Sequence, residues 1–165
     1  MAHKCPQCGG EFPAGERCRD RFDLCLALDY QNPTVFGAVH FLTVACYMLQ
    51  HNGYSRDVWL EARRMLAEVI RQATTPAAIR RQNRQKFDSG GRTWRVTKGE
   101  KLVAVDAIVW SRTVADVRLD DPSLYCDDVR QWASCILADT EALIQLLNGE
   151  PARTRQPDPS ASPDL

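Results

Sequence analysis

The sequence predicts a mainly α-helical domain, a helical bundle fastened at its N-terminus by a zinc knuckle. Three observations lead there. Cys5, Cys8 and Cys18 crowd the opening stretch MAHKCPQCGGEFPAGERC. Apolar residues recur at helical spacing in several stretches bounded by Asn-Pro, Asn-Gly and Asp-Pro pairs. Only Thr93 to Val109, with Trp94, Val96, a Lys98-Gly99 turn and then Val103, Val105 and Val109, reads as a small β-hairpin or an extended arm.

The elements follow in chain order. Residues Cys18 to Tyr30 place Phe22, Cys25, Leu26 and Leu28 at roughly helical spacing, and Asn32-Pro33 ends that helix. Val35 to His51 is apolar nearly all round, which predicts the central buried helix, closed by Asn52-Gly53. Ser55 is placed to cap the next helix, with Asp57 in its first turn where the helix dipole favours an anion. Val58, Trp59, Ala62, Met65, Leu66, Val69 and Ile70 form its apolar stripe. Thr75-Pro76 predicts a short helix and Ser89-Gly90-Gly91 a loop. Asp121-Pro122 opens a last helix, whose apolar residues recur with a period near 3.6 until Asn148-Gly149. Residues 1–149 therefore read as one zinc-stapled domain. Residues 150–165, with four prolines and almost nothing apolar, read as a disordered tail.

Composition narrows the function. The chain has 165 residues, enough for one domain with its own core. Lys+Arg and Asp+Glu are both 21, so no global field draws it toward nucleic acid or membrane. No apolar leader precedes Cys5, and the apolar stretch around His40 is too short to span a bilayer, so a cytoplasmic protein is expected. Seven cysteines, an odd number, do not suit a disulfide framework there; metal ligands and buried thiols are expected instead. Charge is balanced overall but not along the chain. Arg71 to Lys101 holds nine basic residues against two acidic, a net of +7. Leu102 to Leu165 holds five against eleven, a net of −6. Charge runs of this kind are usually solvated faces or face each other.

Cys5-Pro6-Gln7-Cys8-Gly9-Gly10 has the chemistry of a zinc knuckle. Two thiolates two residues apart reach one ion, and the glycines let the backbone turn its N–H groups toward the sulfurs. Cys18 is the natural third ligand. The fourth is drawn from His40, His51 and Cys25. On a helix Cys18 and Cys25 lie about 10 Å apart, too far to share an ion, and His40 and His51 about 16 Å apart, so only one histidine binds. A turn at Asn32-Pro33 that brings His40 back toward the start of the first helix favours His40. His51 then reads as a helix C-terminal cation meeting the dipole, in preference to a general base beside Tyr47, because no nucleophile or paired carboxylate stands near it in sequence. Arg80, Arg81, Arg84 and Lys86 before Trp94 form a basic, aromatic-flanked stretch able to contact phosphates, yet Gly90-Gly91 lacks the Lys-Ser/Thr ending of a phosphate-binding loop.

The chain resembles an uncharacterised bacterial group, domain-of-unknown-function family 5946. Its members show an N-terminal CxxCG, a further cysteine before a helix, and an HxLTVxxYxxQH helix. These match Cys5 to Gly9, Cys18, and His40 to His51. WSRTVADV (Trp110 to Val117) and YCDDVRQWA (Tyr125 to Ala133) are also similar. The resemblance implies no activity, but it marks Cys5, Cys8, Cys18, His40 and His51 as motif positions. The function expected is a zinc-binding regulatory module acting on another protein. The rivals are a metalloenzyme with an open zinc position and His51 or Asp29 as base, and a nucleic-acid binder using the Arg80–Lys101 stretch.

Overall fold

A computed structural model describes residues 2–37, 39–72, 78, 81 and 96–149. The expected helix at Thr75-Pro76, the Gly90-Gly91 loop and the tail lie outside the described residues, as do Arg80, Arg84 and Trp94. Among the described residues the fold is mainly helical with one two-stranded hairpin. In order come β1 (His3–Lys4), β2 (Glu11–Phe12), α1 (Cys18–Gln31), α2 (Pro33–Phe36), α3 (His40–Gln50), α4 (Arg56–Gln72), 3₁₀ turns at Val103–Ala107 and Val114–Asp116, α5 (Pro122–Asp139) and α6 (Glu141–Gly149).

α3 is the central element, packed on α1, α4 and α5. It buries Leu42, Thr43, Ala45, Cys46, Tyr47, Leu49 and Gln50, as its nearly continuous apolar sequence predicts. Trp59 of α4 and Trp132 of α5 are fully buried against it. Each indole N–H is satisfied, Trp59 by the Leu49 carbonyl at 3.0 Å and Trp132 by Gln50 Oε1 at 3.0 Å. Gln50 passes the connection on, donating to the Arg112 carbonyl at 2.7 Å. A polar residue on the central helix thus costs little burial energy, because both ends of its amide are paired.

Three boundaries differ from the sequence reading, each for a local reason. The helix expected from Val35 to His51 is two helices. The Asn32 side chain accepts from Val35 N at 3.3 Å and Pro33 occupies the first turn, so α2 starts there. It closes at Gly37, where a Cβ would lie 2.3 Å from the Pro33 carbonyl oxygen; only glycine fits that closure. The last helix divides at Thr140, whose hydroxyl donates back to the Ile136 carbonyl at 2.7 Å and accepts from Arg63 Nε at 2.8 Å. Such back-bonding competes with helix continuation, and the buried Arg63 guanidinium occupies the break. Finally, no strand forms in residues 96–109. The carbonyls of Val96 and Glu100 instead accept the Ser55 and Arg56 amides at 2.8 and 2.7 Å, which leaves them unavailable for a cross-strand ladder. The hairpin lies at the knuckle, with His3 opposite Phe12 and Lys4 opposite Glu11.

A buried carboxylate fixes the wall behind the knuckle. Asp128 of α5 accepts from Arg112 Nη2 at 2.9 Å and from Arg118 Nε and Nη2, each at 2.8 Å. The Arg118 bonds hold its carboxyl below the usual aspartate range. This anchors the Val114–Asp116 turn, against which Gly10 packs so closely that a Cβ there would lie 2.6 Å from Thr113 Oγ1.

Candidate metal centre

Three separate pieces of backbone converge on one cluster. The β1–β2 knuckle supplies Cys5 and Cys8. Its turn is drawn tight by Gly9 N to the Cys5 carbonyl at 2.9 Å and Cys5 N to the Gly10 carbonyl at 2.8 Å, with Gly9 at φ +74° where a side chain is disfavoured. Cys18 is the first residue of α1. His51 follows the last residue of α3. The ligand atoms of Cys5, Cys8, Cys18 and His51 all lie within 4.8 Å of one another, close enough to bind one metal ion. His51 Nε2 is 3.2 Å from Cys18 Sγ and 3.8 Å from Cys5 Sγ, and the Cys8 and Cys18 sulfurs are 3.7 Å apart.

The imidazole is held ready to ligate. His51 Nδ1 lies 2.7 Å from the Tyr47 carbonyl, which only accepts, so Nδ1 carries the proton and the Nε2 lone pair faces the sulfurs. The ring stacks on Tyr47 at 4.0 Å, and Tyr47 stacks on Phe22 at 3.9 Å, which limits rotation. Cys8 is drawn toward thiolate, down to about 4, first by the hydrogen bond from Cys18 and then by His51 and the Gly10 amide, against burial. Cys18, the donor of that pair, is pushed up. Tyr47 is pushed up to about 12, by burial first, so it stays a phenol.

His40 is not in the cluster, and this corrects the expected ligand set. α1 and α3 run antiparallel across a short connection, so the start of α1 is level with the end of α3. α1 has 14 residues; at about 1.5 Å per residue its ends are about 20 Å apart. Cys18 meets His51 at one end, and His40 stands at the other. There His40 Nδ1 is 3.0 Å from Asp29 Oδ2, and Asp29 Oδ1 accepts from the Tyr125 hydroxyl at 3.0 Å. Tyr125 OH also lies 3.3 Å from Thr43 Oγ1. Asp29, considered above as a catalytic base, is a buried tie between α1, α3 and α5. Cys25 and Cys46 are fully buried thiols whose ionisation burial opposes. Of Arg80, Arg81, Arg84 and Lys86, only Arg81 is among the described residues, and it is exposed. No helix among the described residues is long and apolar enough to cross a membrane.

Fold and site together define a small helical protein in which three cysteines and a histidine, from the N-terminal knuckle, the start of α1 and the end of α3, lie close enough to bind one metal ion. The chain belongs to DUF5946, a family of unknown function, whose family model matches residues 3–141. No curated protein and no solved structure matches it.

Proposed function

We propose that the protein is a zinc-stapled binding module. The observation that carries the reading is the convergence of Cys5, Cys8, Cys18 and His51 within 4.8 Å. Three thiolates and an imidazole suit Zn²⁺ over the hard cations, which prefer oxygen. Four protein ligands make a closed shell, and closed shells are structural, whereas catalytic zinc keeps an open position. The ion would supply cross-linking: it would join the knuckle to the start of α1 and the end of α3. The +7 and −6 blocks of the sequence favour a charged protein surface as the partner.

Elemental analysis of protein purified without added metal tests the staple. One equivalent of zinc per chain is expected. Less than about a tenth of an equivalent, with every thiol titrating free, contradicts it.

A further inference from the structure

Resting on that zinc reading, we propose that Lys101 is a positioning residue for the metal centre, acting through the turn that follows His51. Lys101 counts in sequence as one more charge of a basic stretch, yet its ammonium faces inward. Its three N–H donors are all satisfied by backbone carbonyls, Gly53 at 2.9 Å, Tyr54 at 3.1 Å and Thr97 at 3.0 Å. Two of those carbonyls belong to the turn beginning immediately after His51.

The same turn is held at other points by the same segment. Asn52 has φ +47°, a left-handed conformation that asparagine tolerates better than most residues. Its Nδ2 donates to the Leu102 carbonyl and to Asp106 Oδ1, each at 3.3 Å. Ser55 N and Arg56 N rest on the Val96 and Glu100 carbonyls. Every residue from Asn52 to Arg56 is therefore bonded, through backbone or side chain, to residues 96–106. His51 lies at the junction of this clamped turn and α3. Its ring is fixed from the helix side by the Tyr47 carbonyl, and its backbone from the turn side by the clamp. Freedom in the turn is freedom for Nε2 to leave the sulfurs. Binding to a pre-set ligand loses less entropy than binding to a mobile one. Coupling is reciprocal, so metal binding tightens the grip on residues 96–106 by the same factor that the grip tightens metal binding.

The test is zinc affinity, measured by competition with a chromophoric chelator, together with the visible spectrum of the Co²⁺-loaded protein. Lys101→Met touches no ligand and is expected to weaken zinc binding about fivefold or more, and to change the Co²⁺ ligand-field bands. Arg63→Met is the control. Arg63 is buried and bonds Thr140, the Leu137 carbonyl and Glu141, away from the clamp. It is expected to lower the melting temperature while leaving zinc affinity within about twofold. Asn52→Gly, which suits the left-handed backbone but removes both side-chain bonds, is the second probe if Lys101→Met does not fold, and it too is expected to weaken zinc. Unchanged affinity in the folded clamp variant overturns the inference, as does a loss that merely tracks stability and appears equally in Arg63→Met. Wild-type protein that takes up neither zinc nor cobalt overturns instead the reading on which the inference rests.

Discussion

The two ends of the α1–α3 pair hold the same kind of side chain to opposite purposes. At one end His51 turns Nδ1 to a backbone carbonyl and Nε2 to three sulfurs. At the other, His40 turns Nδ1 to a buried carboxylate, which a tyrosine also holds. A carbonyl partner accepts the Nδ1 proton in a hydrogen bond and leaves the Nε2 side of the His51 ring to a metal. A carboxylate partner makes the His40 ring a hydrogen-bond donor that serves the fold. What lies around Nε2, and not the residue type or its place in a motif, separates the two: three sulfurs stand beside His51, whereas His40 lies outside that cluster.

The largest effect that separates the ends comes from removing a thiolate. Cys8→Ser is expected to abolish stoichiometric zinc and to cost on the order of 3–5 kcal/mol, since it opens the staple. Cys46→Ser, in the fully buried middle of α3, is expected to keep its zinc and to cost less, about 1–3 kcal/mol for a hydroxyl without a partner. Thermal melts with metal analysis compare the two. Equal losses of stability would show that the knuckle does not staple the fold.

Exchanging the histidines sharpens the contrast. His51→Ala is expected to lower zinc affinity by at least tenfold, about what loss of even an outer-sphere partner costs. His40→Ala is expected to retain one zinc per chain and to lose about 1–3 kcal/mol, because Asp29 stays buried with one partner fewer. Zinc retained in His51→Ala and lost in His40→Ala would reverse the assignment.

The smallest effect is electrostatic and belongs to the wall behind the knuckle. The Asp128 carboxyl is held below its ordinary value of 3.8 by Arg118 and Arg112. A group depressed in the folded state stabilises above its unfolded pKa and loses that contribution as pH falls through the folded one. Wild-type stability should therefore fall with acid below about pH 4 more steeply than that of Asp128→Asn, which is less stable at neutral pH. Parallel denaturation curves from pH 3 to 7 would remove the Arg–Asp128 linkage from the account.

Much of this was legible in the sequence because it depends on local rules. The buried α3, the stop at Asn52-Gly53, the proline start of α5 and the Cys5-x-x-Cys8 knuckle follow from periodicity, turn chemistry and thiolate spacing. What was not legible depends on direction and on distant partners. His40 and His51 are equivalent in composition, and the choice between them turns on antiparallel packing: a helix that returns beside its predecessor brings its end, not its start, to the first helix's beginning. Likewise the valines of residues 96–109 suggest strands, but Val103 and Val109 stay exposed while the carbonyls of that segment serve the start of α4. The actual hairpin has two residues per strand, too few for an alternation pattern to show.

Zinc K-edge X-ray absorption on the purified, metal-replete protein tests the central claim most directly. A shell of three sulfurs at about 2.3 Å and one nitrogen at about 2.0 Å is the predicted result, with the nitrogen scattering lost in His51→Ala and kept in His40→Ala. A shell of four sulfurs, one dominated by oxygen, or one whose nitrogen disappears with His40 would contradict it.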